Sequence, residues 1–152
     1  MTSPQQGRRN RNAGHQWERT CARELTALLG IEVVTARAVS GGTQAGPDLM
    51  EMTVHGPIPT VHGWSLEVKC EVRERPTAWL RQAKRQADGP LYAVLSKNAR
   101  QPFMAASVLT TSRALMLWIT GVDNGVSEPV WFSMRAFVGL LGLPEWGGTD
   151  VS

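Results

Sequence analysis

The sequence predicts one α/β domain built in the order α-β-β-β-α-β, with an extra C-terminal portion. Three observations predict it. The chain has 152 residues, 42% of them apolar and 19% charged, which gives one domain's length and a globular balance. Segments with helical three- and four-residue spacing alternate with short runs rich in β-branched residues. No internal repeat and no second apolar core follow the first.

The elements follow in order. Residues 1–13, MTSPQQGRRNRNA, are polar and without periodicity, and read as a flexible basic arm ahead of a single domain over 14–152. From His15 to Leu29, Trp17, Cys21, Leu25, Leu28 and Leu29 recur at helical steps, with Gly30 as a stop. Ile31–Arg37 is a strand by its β-branched content, and Ser40–Pro47 a loop by composition. Asp48–Val54 alternates as a second strand, and the proline-rich stretch His55–Gly63 connects it to a third. In that third strand, Trp64–Cys70, Leu66, Val68 and Cys70 share one face and Ser65, Glu67 and Lys69 the other. Pro76 opens a helix to about Asp88, with Trp79, Ala83 and Ala87 on one face. Gly89-Pro90 breaks it, and Leu91–Ser96 is a fourth strand. Farther on, Ala114–Thr120 reads as a buried strand, Gly121–Pro129 as a loop and Ser133–Leu141 as a short helix, while Met104–Thr110 has no clear pattern.

Composition excludes several classes. No stretch reaches the roughly 18 uninterrupted apolar residues of a membrane helix, and the polar N-terminus lacks a signal-peptide core. Cys21 and Cys70 stand alone without C-x-x-C, which argues against a disulfide scaffold or a zinc ribbon and for a reduced, cytoplasmic setting. His15, His55 and His62 lack metal-ligand spacing, which argues against an HNH or zinc site. The net charge of +3 is unevenly spread: +3 over residues 1–40, −3 over 41–68, +5 over 69–100 and −2 over 101–152. Two basic segments around an acidic middle suit a protein that holds a polyanion near a carboxylate metal site. Scattered solubilising charge is the alternative.

The chemistry concentrates in Pro47-Asp48 and, nineteen residues after Asp48, Glu67-Val68-Lys69. Asp48 opens one strand, and Glu67 and Lys69 lie near the end of the next. If the connection makes these strands antiparallel neighbours, two carboxylates and an ammonium meet at one edge of the sheet. Asp48, Glu67 and the backbone carbonyl of Val68 then form the oxygen-rich shell that Mg²⁺, or Mn²⁺ in its place, prefers. Lys69 is placed to orient a water or to stabilise charge on a phosphorane-like transition state. The reaction this suits is metal-assisted phosphodiester hydrolysis. An exposed strand face carrying a Glu–Lys pair, with a turn Asp after proline, is the structural alternative.

These motifs resemble a known family. The Pro-Asp and Glu-x-Lys elements between two helices are similar to the PD-(D/E)xK nucleases. Gly14-x-x-x-Glu18-Arg19, Arg37-x-x-Ser40-Gly41-Gly42, Pro47-Asp48 and Glu67-Val68-Lys69 together resemble the archaeal-type Holliday-junction resolvases over Gly14 to Ser96. The resemblance implies a restriction-endonuclease-like core, a mixed central sheet flanked by helices. It implies Asp48 and Glu67 as metal ligands, Lys69 as catalytic base or water-orienting group, and Glu18 as an outer member of the acidic cluster. It also implies Arg37 and Ser40 as contacts to the scissile strand, Ser40 from a mobile loop, and a homodimer that nicks opposite strands of a four-way DNA junction. Ala13 departs from the pattern, which expects a basic residue there, although Arg9 and Arg11 are near.

Arg8, Arg9, Arg11, Arg19, Lys84 and Arg85 are further candidates for phosphate contact, beside Arg73, Arg75 and Arg81. Gln82 and Gln86 share a helix face, and the superfamily often carries a glutamine near the site after this strand, so either is a candidate, with Gln82 set for DNA contact. Trp118, Trp131 and Phe137 suit a core or a dimer contact better than a base-stacking platform. Two other functions stay open: another PD-(D/E)xK nuclease, restriction-like, repair or VRR-type, and a non-catalytic DNA-binding protein of the same fold.

Overall fold

The computed structural model of the chain describes residues 4–40, 46–71, 73–97 and 101–142, without the side chains of residues 4, 6, 7, 9 and 10. Helix α1 (Pro4–Leu29) leads into strand β1 (Val33–Thr35), helix α2 (Ala36–Ser40) and strands β2 (Leu49–Thr53), β3 (Gly56–Ile58) and β4 (Ser65–Cys70). Helix α3 (Pro76–Gln86) and strand β5 (Tyr92–Lys97) follow, then a 3₁₀ turn at Phe103–Ala105. The C-terminal portion holds β6 (Ser107–Thr111), α4 (Ser112–Thr120), β7 (Pro129–Ser133) and α5 (Met134–Leu141). The architecture is mixed α/β, with two sheets and five α-helices among the described residues.

The three-stranded sheet runs β1-β2-β3, antiparallel throughout. The four-stranded sheet runs β4-β5-β6-β7. Its first pair, β4 and β5, is parallel, as a crossover through α3 requires, and the other two pairs are antiparallel.

Alternation along β5 divides the core. Ala93 and Leu95 join Leu66 and Val68 beneath α1, α4 and α5, with Trp17, Cys21, Leu25, Trp118 and Phe137 buried among them. Tyr92 and Val94 face the other way and pack with Leu109 under Trp79, Leu80 and Ala83 of α3. The indole N–H of Trp17 donates to the Leu95 carbonyl at 3.1 Å, so the largest side chain of α1 is buried without an orphaned donor.

Several elements differ from the sequence-based expectation. Residues 4–13 are not an arm but the first turns of α1; Pro4 is pre-set for a helix start, and glutamine, arginine and alanine are good helix formers. Residues 1–3 lie outside the described part. The strand expected to reach Arg37 stops at Thr35, whose hydroxyl accepts from the Ala38 N–H at 3.1 Å and turns the chain into α2. Ala114–Thr120 is helical, not a strand. Thr111 caps α4 by accepting from the Ala114 N–H, and Gly121, at φ 74°, closes it in the left-handed region.

The largest difference concerns the sheet. Residues 55–63 are not a plain connection, because Gly56–Ile58 folds back as β3 onto Glu51–Thr53. That turn takes the edge of β2 on which β4 was expected to pair as a hairpin partner. The residue just before β2 bonds to β4: the Asp48 N–H donates to the Leu66 carbonyl at 3.0 Å.

Candidate active site at the junction of the two sheets

Asp48 sits where the sheets meet. Its backbone bonds to Leu66, and its side-chain Oδ2 accepts the Val68 N–H at 2.8 Å. The carboxylate therefore takes the place of a backbone partner on the edge of β4. A strand residue sends its N–H and C=O to the same edge, so the Val68 carbonyl leaves β4 on the Asp48 side.

Glu67 follows from the alternation of β4. Leu66 and Val68 join the α1 side of the core, which leaves Ser65, Glu67 and Lys69 on the α3 side. Glu67 is only 4% exposed, and its Oε1 has no hydrogen-bond partner. Burial and then the neighbouring Asp48 carboxyl push its pKa up to about 9; Lys69 pulls the other way, and Glu18 adds to the rise. A buried acid in this condition resists ionisation, so it keeps a proton unless a cation takes its place.

Lys69 donates from Nζ to Gln82 Oε1 at 2.7 Å. One of its three ammonium protons is thereby fixed, and the amine is anchored to α3. Four residues on, Gln86 Oε1 accepts the Gly46 N–H at 2.7 Å, two residues before Asp48.

A small open cleft lies above Asp48, lined by Glu18, Ala36, Arg37, Ser40, Gly46, Pro47 and Asp48. Glu18 enters it from α1, with its side chain 13% exposed and its Oε2 3.8 Å from Nε of the half-exposed Arg37. Burial raises the Glu18 pKa, as does the Asp48 charge, while Arg37 and Arg19 oppose the rise. His15, one turn earlier on α1, is held below its usual pKa by burial and by Arg37, Arg19 and Arg11. Basic side chains of α1 and α2 therefore stand close to the mouth of the acidic cleft.

The structure thus brings together Glu18, Arg37, Ser40, Asp48 and Glu67, with Lys69 and Val68 on the adjoining strand. Ser40 is not on a loop but ends α2, where its hydroxyl donates to the Ala36 carbonyl at 2.8 Å; residues 41–45 lie outside the described part. Gln82 engages Lys69 through its Oε1. Lys84 and Arg85 are exposed in the last turn of α3, where they also complement the helix dipole. Arg8, Arg11 and Arg19 are exposed along α1, and the side chain of Arg9 lies outside the described part. Gln86, the other glutamine candidate of this helix face, engages the Gly46 backbone.

Among the described residues, no group of three or more His, Cys, Asp and Glu side chains is gathered closely enough to hold a metal unaided. The donors present are two carboxylates and a backbone carbonyl. That set suits a hard cation that keeps several waters, as Mg²⁺ does, rather than zinc. The unpartnered Glu67 oxygen beside Asp48 is the observation that favours a cation there. No helix among the described residues is long and apolar enough to cross a membrane. No protein-family model, curated protein or solved structure matches the chain.

Proposed function

We propose that the chain is a Mg²⁺-dependent DNA endonuclease of the PD-(D/E)xK type, a Holliday-junction resolvase that works as a homodimer. The observation that carries this reading is the buried Glu67, with one oxygen unpartnered, against Asp48 and on the same strand face as Lys69. A binding module has no use for two acids that repel each other in the interior. The element order supports it too: a helix, an antiparallel β1–β2 pair, then β4 joined to a parallel β5 through α3.

Asp48, Glu67 and the Val68 carbonyl would hold the cation, which supplies Lewis-acid stabilisation of the phosphodiester oxygens. The remaining work falls to the chain. Lys69, fixed by Gln82, keeps two further N–H donors for an attacking water or for charge developing on the phosphoryl oxygens. Arg37 holds Glu18 through a single long contact and has a half-exposed side chain, so it can exchange that partner for a phosphate. Arg8, Arg11, Arg19, Lys84 and Arg85 add phosphate contacts that position DNA without reading sequence. Junction selectivity rests on the Gly14-x-x-x-Glu18-Arg19 and Arg37-x-x-Ser40-Gly41-Gly42 motifs, and two-fold pairing of the enzyme on the two-fold symmetry of a four-way junction.

The test is incubation of the protein with a labelled synthetic four-way junction and, separately, its linear duplex arms, in Mg²⁺ and in EDTA. Paired Mg²⁺-dependent nicks in the junction alone are expected. Cutting of both substrates would keep the nuclease and discard the junction selectivity. Tight binding without cutting, in Mg²⁺ and in Mn²⁺, would move the chain to the non-catalytic class.

A further inference from the structure

We propose that α3 is a two-point strut: Gln86 positions the segment that carries Asp48, while Gln82 positions Lys69, so one helix sets the acid and the amine separately. This deepens the endonuclease reading above and rests on it. The two glutamines are one helical turn apart and half-buried, each accepting a hydrogen bond at 2.7 Å.

The Gln86 contact is placed to act on Asp48. It holds the N–H of Gly46, which at φ 130° adopts a backbone conformation that side chains disfavour. Pro47 follows, buried and with its φ fixed by the ring, so few torsions separate the anchored amide from Asp48. On its other side Asp48 is tied to β4 through Leu66 and Val68. Its position is therefore fixed from two directions, by a strand and by a helix.

The helix that does this is itself immobilised. Trp79, Leu80 and Ala83 are buried against Tyr92, Val94 and Leu109. The Asp88 N–H donates to Ser65 Oγ at 2.8 Å, and Trp79 Nε1 donates to Glu71 Oε2 at 3.2 Å. Both glutamines thus project from a rigid support onto partners in two different segments, and their substitution should separate two properties.

The experiment uses the full chain with Gln86→Ala, Gln86→Glu and Gln82→Ala. It reads Mn²⁺ binding by calorimetry without DNA, amide exchange at Gly46 and Val68 by NMR, and cleavage at saturating metal. Gln86→Ala should weaken Mn²⁺ binding roughly tenfold, the low end for partners that support metal ligands. It should also speed exchange at Gly46 by about three- to tenfold, as expected for loss of one hydrogen bond, and speed it at Val68 as well. Gln86→Glu keeps an acceptor oxygen and should bring Mn²⁺ affinity back to within about threefold of wild type. Gln82→Ala should leave Mn²⁺ affinity and Gly46 exchange in place and lower the cleavage rate. Wild-type Mn²⁺ affinity in Gln86→Ala, or equal weakening in Gln82→Ala, would overturn the strut while leaving the nuclease intact. Absence of both Mn²⁺ binding and cleavage in the wild type would remove the nuclease reading and the strut with it.

Discussion

The two faces of β4 obey opposite rules. On one, Leu66 and Val68 are buried with Trp17, Trp64, Leu25 and Leu95 in an apolar cluster that holds no charged side chain, where the Trp17 N–H has a partner and the Trp64 N–H has none. On the other, Ser65, Glu67 and Lys69 face α3, and Glu67 is as buried as its apolar neighbours while one of its oxygens is unpartnered. The difference separates stability from chemistry within six residues. Folding alone would place an apolar residue at 67, and a carboxyl there against Asp48 is the feature on which the proposed reaction rests.

That contrast can be broken in several ways. The largest effect is expected on the polar face: Asp48→Asn or Glu67→Gln should reduce junction cleavage by roughly a thousandfold or more while leaving binding to the junction largely unchanged. Normal cutting by either variant would show that the acids have no part in catalysis. On the apolar face, Leu66→Ala should lower stability by about 3 kcal/mol through the cavity it leaves, as denaturant unfolding would measure. The protein that remains folded should cut at nearly the wild-type rate, and a loss of rate per folded molecule would deny the separation.

The pH dependence sharpens the comparison. In the folded, metal-free protein Glu67 keeps its proton up to about pH 9, against an ordinary value of 4.5. Between those values the folded state binds more protons than the unfolded one, so stability falls as pH rises. In EDTA at pH 8, Glu67→Gln should therefore be more stable than wild type, seen as a higher melting temperature. The gap should narrow toward pH 4 and again when Mg²⁺ is added to the wild type. An unchanged or lower melting temperature at pH 8 would show that Glu67 is not held under strain. The smallest effect is expected far from the site. Ser133→Ala removes the side-chain cap of α5, which accepts from the Ala136 N–H, and should cost about 1 kcal/mol with cleavage unaffected.

The site was more legible in the sequence than the sheet that builds it. Asp48, Glu67 and Lys69 stand out because a Pro-Asp pair followed at this distance by Glu-x-Lys on a strand is an uncommon combination, and Glu18 because it borders the apolar stripe of α1. The pairing of β2 was not legible. It depends on the turn at Val54-His55, where the Thr53 hydroxyl accepts from the His55 N–H and donates to the Gly56 carbonyl, folding β3 onto β2. Such a turn leaves little trace in composition. Helix α4 was hidden for another reason. Met116 and Ile119 are apolar yet exposed, so the buried spacing of Ala114 and Trp118 does not stand out, and only the Thr111 and Gly121 caps mark the element. The first turns of α1 carry no apolar stripe, and their helix-favouring glutamines and arginines are interspersed with Gly7, Asn10 and Asn12, so composition alone does not mark them as helical.

The central claim is that Asp48 and Glu67 form a cation site on the polar face of β4, and direct titration with Mn²⁺ tests it most simply. Calorimetry on the wild type without DNA should show a saturable Mn²⁺ site, and Glu67→Gln, at matched folding, should lose it. Equal binding by the two proteins, or none by the wild type, would contradict the account.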